Sequence, residues 1–380
     1  MNDLEQARIL APEWNTVREE LHKYPELGNC EKRTAKVIEQ RLNAVGVRTM
    51  RLLDTAVIGT LAGALPGRCV ALRADMDALP MREDSGKPYS SRNAGVAHTC
   101  GHDVHMAAAL GAAELLARRK DTLRGTVKFF FQPDEEGSGG AQRMIAAGCM
   151  KGVDAVFGAH VCPELPLGTV GVRYGKFYAA SDTFSIRITG RSCHGAQPER
   201  GIDALACAAA LVTALHALRS PDPFVLSIGT LHAGTAINVI AGQAELTGIL
   251  RTLGAENRAA MKQAIRKTVD AVAAQFGASA ALTLHESYAG VVNTERETAL
   301  VERSAKALLG ADHVKILDSP TMTTEDFGYF IDAAAGSFYH IGVGGDYPLH
   351  HPAFLPDASA VPLAAAVHAA VLTEYLSQAD

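Results

Sequence analysis

A chain of 380 residues, 48% hydrophobic and 20% charged, has the composition of an ordinary globular protein with room for two domains. Its net charge of −5 runs against a nucleic-acid partner, because a phosphate-binding surface shows as a basic excess. Charges break up residues 1–13, which excludes a secretory leader, and the alanine-rich run 204–218 is too short to span a bilayer.

The spacing of apolar residues predicts helices over 4–24, ended by Pro25, and 31–45, ended by Gly46. Residues 57–62 and 69–74 read as adjacent strands around a Pro66-Gly67 turn. A helix over 104–119 follows. The run 126–131 is then apolar without alternation, as for a strand buried on both faces. Next come a helix at 140–147, a buried strand at 155–159 and a strand at 169–173. Towards the C-terminus the pattern gives helices at 297–309 and 325–332, a strand at 338–343 and a helix at 358–376. Alternation of this kind predicts an α/β layer: a largely parallel central sheet with helices on both faces.

Residues 182–292 read differently. Phe184, Ile186 and Ile188 alternate with Ser185, Arg187 and Thr189, the mark of a half-exposed strand. A helix at 203–218, strands at 224–233 and 243–252, a helix at 256–276 and a strand at 280–286 complete the order βαββαβ, that of a ferredoxin-like α+β unit. The expected organisation is a discontinuous domain, 1–181 with 293–380, and an inserted domain at 182–292.

Chemistry concentrates in Ala97-His98-Thr99-Cys100-Gly101-His102-Asp103-Val104-His105. A thiolate and an imidazole flanking a glycine before a helix are good ligands for zinc-like cations, and Asp103 is placed to orient a ligating imidazole. Pro133-Asp134-Glu135-Glu136-Gly137 follows an apolar strand, where an open parallel sheet puts its ligands, and adjacent glutamates can divide the work of ligand and base. His160 ends another buried strand. His350 and His351 follow a third. Each histidine alone is ordinary structure. Their convergence on one predicted sheet edge suffices for a two-cation site with a bridging ligand. A cysteine hydrolase using Cys100 with His102 as base is a rival reading that needs no metal.

The segments LRADMDALP (72–80), HTCGHDVHMA (98–107), FQPDEEGSGGA (131–141), GAHV (158–161), HGAQP (194–198), MTTEDF (322–327) and LHHPAF (349–354) resemble the aminoacylase, hippurate hydrolase and indoleacetyl-amino-acid hydrolase branch of the dinuclear metallo-amidohydrolases. The resemblance implies a metal-dependent amidohydrolase cleaving N-acetyl, N-benzoyl or indoleacetyl L-amino acids, with two divalent ions per subunit. Zinc, manganese, cobalt and nickel all suit the donors. It makes Cys100 the bridging ligand, His102 and His160 the rest of one site, Glu136 and His350 the rest of the other, and Glu135 the general base. The 182–292 insertion becomes a lid and dimerisation domain. Its His194 is expected to reach the partner subunit's active site, with Asn238 and Arg251 contacting substrate. A cytoplasmic homodimer without membrane or nucleic-acid partner follows, a tetramer being the other arrangement, and the scattered cysteines (30, 69, 100, 149, 162, 193, 207) agree with a reducing compartment. Three positions depart from the family's pattern: Ala241 where proline is frequent, Cys193 before His194, and His351 in a slot usually held by asparagine or serine. Alternatives on the same fold are a metallo-dipeptidase or carboxypeptidase; outside catalysis, a dimer that only binds metal or metabolite.

Overall fold

In a computed structural model, which describes residues 2–378, the apolar run at 126–131 forms the strand Arg124–Gln132. Phe129, Phe130 and Phe131 have no solvent exposure. Phe129 and Phe131 join a core with the helices Asp3–Lys23, His102–Ala117 and Ala360–Ser377, while Phe130 packs on Phe330 of the short helix Gly328–Ala333, ring centroids 5.7 Å apart. Successive side chains of a strand point to opposite faces, so this run needs helices on both. The sheet is sandwiched accordingly.

The chain divides into two units. The first comprises Met1–Gly175, Val292–Ser319 and Asp326–Asp380; the second Lys176–Val291 and Pro320–Glu325. Met1, Ala379 and Asp380, within the range expected for the discontinuous domain, lie outside the described residues. Pro320–Glu325 joins the second unit through backbone bonds from Thr321 N–H to the Phe177 carbonyl (2.9 Å) and from Ala179 N–H to the Thr323 carbonyl (3.0 Å).

The first unit's eight-stranded sheet runs, edge to edge, Arg48–Leu52, Ala56–Ala62, Arg124–Gln132, Leu65–Asp75, Ala155–Cys162, Ala335–Gly342, Val170–Val172 and Val314–Ile316. Four central strands, those ending at Gln132, Asp75, Cys162 and Gly342, are mutually parallel. The expected adjacency of 57–62 and 69–74 is incorrect: Arg124–Gln132 lies between them, antiparallel to the first and parallel to the second. Gly63 and Leu65 N–H groups bond to the Gly125 and Leu123 carbonyls, so the turn hands the chain to a new partner instead of closing a hairpin. The helix expected at 325–332 is shorter, Gly328–Ala333. The buried Asp326 carboxylate accepts hydrogen bonds from Arg73, Gln132 and the Ala141 N–H, which holds the preceding residues out of the helix.

Helix packing explains one apparent defect. Glycine inside a helix costs ~1 kcal/mol against alanine, yet Gly111 sits in mid-helix. A Cβ there would lie 2.9 Å from both the Ala365 Cβ and the Trp14 ring, so close helix contact outweighs propensity. Ala360–Ser377 is the one helix, among the described residues, long and apolar enough to cross a membrane, and it is mostly buried in this core.

In the second unit the strand order is Ser279–Tyr288, Ala180–Thr189, Gln243–Thr252, Phe224–Ala233, all antiparallel. Helices Ala204–His216 and Ala255–Gln275 cover one face, burying Phe184, Ile186 and Ile188. Counted in chain order the strands lie 4-1-3-2, the arrangement of a split βαβ unit.

Candidate metal centre

Because the four central strands run in one direction, their carboxyl ends share a sheet edge, and the polar residues of the first unit gather there. Cys100 and Gly101 lead into His102–Ala117. Gly101 has φ +88°, and a Cβ on it would lie 2.4 Å from the Val161 side chain. Only glycine makes this turn, and the turn puts Cys100 and His102 on the same side.

Cys100 Sγ lies 3.3 Å from His160 Nε2, and the donor atoms of Cys100, His102 and His160 all fall within 4.8 Å of one another. The same holds for Cys100, Glu136 and His350, and for His102, Glu135 and Glu136. Cys100 belongs to two of these triads. Glu136 Oε1 stands 2.9 Å from His350 Nε2. His350 adopts φ +64°, held by its N–H donating to the Thr99 carbonyl at 2.8 Å. All the metal-ligand residues expected in the first unit, with Glu135, therefore come together. His351 instead stacks on Tyr347 at 4.5 Å between centroids, its Nδ1 accepting from the Ala353 N–H.

The imidazoles are prepared as ligands. His102 Nδ1 faces the Asp77 carbonyl at 2.8 Å, while its buried Nε2 has no hydrogen-bond partner among the described residues. His160 Nδ1 is likewise occupied by the Val161 carbonyl at 2.7 Å, turning Nε2 towards Cys100. A ring nitrogen anchored behind, leaving the other turned towards the donor cluster, is what a metal-binding histidine requires. The electrostatics agree. Burial opposes charge on His102, but Asp75 and Asp77 outweigh it and push its pKa up to about 10, so the same field that retains a proton favours a cation. Burial and neighbouring His105 hold His160 well below the usual histidine range, as a neutral donor. Burial, then Glu136 and Glu135, hold the Cys100 thiol well above the usual range, a bias that a cation beside it reverses. Sulfur, imidazole and carboxylate donors with these orientations fit divalent ions.

Asp103 does not orient a ligating imidazole. Its Oδ2 accepts from Arg18 Nε (2.9 Å) and meets His22 Nδ1 (3.0 Å), on the far side of the helix start. The role falls to Asp77, whose backbone holds His102 and whose Oδ2 accepts the Glu136 N–H at 2.9 Å. Asp75 anchors His105 at 2.6 Å and pairs with buried Arg73. His105 is structural, its Nε2 accepting the Val161 N–H. Neither ring nitrogen of buried His98 has a hydrogen-bond partner among the described residues, and burial pushes its pKa down to about 3. The only sequence signal for Asp77 was its place in LRADMDALP, beyond a strand end.

His194, Asn238 and Arg251 belong to the second unit. The Gly195 N–H donates to the Asn238 carbonyl at 2.7 Å, bringing His194 and Asn238 onto adjacent backbone. His194 is exposed, and its Nδ1 accepts the Ala196 N–H at 3.1 Å, which puts the ring proton on Nε2. Arg251, on the strand Gln243–Thr252, donates to the Met322 carbonyl at 2.9 Å, while its Nε is buried with no hydrogen-bond partner among the described residues.

Residues 71–374 match the family described as Peptidase family M20/M25/M40. An N-acetyl-L-cysteine deacetylase of Bacillus subtilis is 38% identical over 353 residues, 91% of this chain and 84% of that protein. Thermostable carboxypeptidase 1 of Saccharolobus solfataricus is 35% identical, the match covering 94% of each. The crystal structure of a dinuclear metal binding peptidase of the M20 family from Bacillus subtilis superposes with a TM-score of 0.89 at 34% identity, covering 97% of this chain and 99% of that one.

Proposed function

The chain belongs to peptidase family M20/M25/M40 and is a metal-dependent amidohydrolase; from that premise we propose that it hydrolyses small N-acyl L-amino acids, of the acetyl, benzoyl or indoleacetyl type, to a carboxylic acid and a free amino acid. The observation that carries this reading is the shared position of Cys100 in two donor triads, with Glu135 beside both. Cys100, with His102 and His160 on one side and Glu136 and His350 on the other, would hold two divalent ions. The ions, when bound, supply the positive charge that lowers the pKa of water and polarises the acyl carbonyl.

The protein's own groups do the rest. Glu135 is buried, adjacent to this positive charge, and takes the proton of the attacking water. It then hands that proton to the departing amine. His194, its proton on Nε2, donates to the oxygen that becomes negative as the carbonyl is attacked, and in a homodimer it serves the other subunit's site. Asn238 contacts the substrate, and the Arg251 guanidinium pairs with the carboxylate of the amino-acid half. The second unit acts as lid and dimerisation surface, and the cytosol is the compartment in which seven unpaired thiols are stable.

The carboxypeptidase relative favours a second reading, in which the acyl half is itself an amino acid. One experiment decides. Chelated protein resupplied with single metals is assayed on N-acetyl, N-benzoyl and indoleacetyl amino acids alongside simple dipeptides. Turnover of the acyl amino acids exceeding that of dipeptides is the expected result. Preference for dipeptides overturns the substrate class.

A further inference from the structure

Asp134 precedes the two glutamates and occupies φ +57°, a backbone region that L residues rarely adopt. Its side chain is 6% exposed, and its polar groups are engaged. The N–H donates to buried Glu31 at 3.0 Å, and the carbonyl accepts from Gly139 at 3.2 Å and Gly140 at 3.1 Å. Oδ2 accepts four hydrogen bonds: from Asn29 Nδ2 at 2.8 Å, the Ser138 N–H at 3.2 Å, the Ser138 hydroxyl at 2.5 Å and Arg143 Nη2 at 2.9 Å. Arg143 Nη1 closes the ring by donating to Asn29 Oδ1 at 2.7 Å. Oδ1 lodges against Gly28 and Gly137, where a Cβ would lie 2.1 and 2.2 Å from it. An aspartate that merely capped a turn would need one or two donors and no cleared space on two sides.

This clasp ties three segments together: the loop around Gly28, the strand end at Gln132 and the helix Gly140–Ala146. The next residues inherit its position without slack, for the Glu136 N–H is fixed to Asp77 Oδ2 and the Glu136 carboxylate faces His350. We propose that Asp134 is a positioning residue, whose clasped carboxylate and left-handed backbone set the directions of Glu135 and Glu136. The inference rests on the reading of Glu135 as base and Glu136 as ligand. A displacement of about 1 Å at a reacting group costs on the order of 100-fold in rate, so a loosened clasp acts on turnover more than on substrate binding.

The test uses full-length, metal-loaded protein with an N-acetyl L-amino acid. Asp134→Ala removes the clasp; Asp134→Asn keeps the tolerance for positive φ and one accepting oxygen; Arg143→Ala leaves residue 134 intact. Metal affinity is measured by chelator competition, and kcat and KM at saturating metal. In Asp134→Ala, metal affinity should weaken about tenfold and kcat fall roughly 30-fold with KM within about threefold, while Asp134→Asn recovers most of the loss. A fall in kcat smaller than about tenfold, a loss confined to KM, or a loss that Asp134→Asn does not lessen overturns the proposal. If Asp134→Ala does not fold, Arg143→Ala decides: a lowered kcat at unchanged KM is expected, and parental kcat overturns it. Glu135→Gln, run in parallel, isolates the underlying reading, since turnover surviving there refutes the base assignment whatever Asp134 does.

Discussion

His22 is buried within the first helix, its Nδ1 3.0 Å from Asp103 and its Nε2 3.1 Å from Glu83. Burial works against its charged form, but Asp103 and then Glu83 outweigh that and raise its pKa to about 9. A group whose folded pKa is raised stabilises the fold fully below its unfolded value, near 6.5, and ceases to do so as pH climbs through the folded value. The window is therefore between about pH 6.5 and 9. Over it the shift corresponds to on the order of 3 kcal/mol, of which about 2 kcal/mol remains at pH 7.5. Glu83, whose carboxyl is held down to about 2 against its burial by His22, Ser85 and Ser91, keeps its charge throughout. The assay is thermal unfolding of chelated protein at about pH 6 and about pH 9.5, for the parent and for His22→Ala. For a unit of this size ~3 kcal/mol is about 6 °C of midpoint. The parent should lose that much more than the variant on going to alkaline pH. Equal pH dependence in the two proteins would refute the reasoning, and a parent gaining stability at high pH would reverse its sign.

Gly101→Ala forces a Cβ into Val161 at a positive φ; it should cost about 2–3 kcal/mol and lower metal content, both read from melts of the chelated and loaded protein. Arg251→Ala should raise KM for an N-acyl amino acid about 30-fold, the equivalent of ~2 kcal/mol for a charged hydrogen-bonded pair, and leave an N-acyl amine lacking the carboxylate unaffected; equal losses on both would contradict carboxylate binding. His194→Ala should lower kcat about 100-fold with little change in KM, checked by steady-state kinetics at saturating metal.

The first unit's donor set was legible because ligand residue types are rare in apolar strands and sit just beyond their ends. Glu136 and His350 follow apolar strands, His160 sits in the last residues of one, and Cys100 and His102 flank a glycine at a helix start; the order of the strands did not matter to any of these local marks. Strand order itself was not legible between 57 and 74. Pairing there is decided by Arg124–Gln132, some fifty residues downstream, whose buried phenylalanines claim the interior slot. The supporting residues were hidden for a different reason. Asp77 acts through a carbonyl as well as its carboxylate, and a backbone atom leaves no trace in residue type. Asp134 looked like one acid in a run of three, and its left-handed backbone is apparent only with Gly28 and Gly137 folded against it. Asp103 pointed the wrong way in the sequence argument because the first residues of a helix fan out around the axis. His102 faces the site, and its neighbour faces Arg18 and His22.

The most direct measurement is metal content per subunit, by elemental analysis of chelated protein reloaded with a single divalent ion, for the parent and for Cys100→Ala. A bridging thiolate shared by two cations predicts two ions in the parent, and less than one together with lost turnover in the variant. A parent that turns over fully with one ion or none, or a variant that still holds two, would contradict the account.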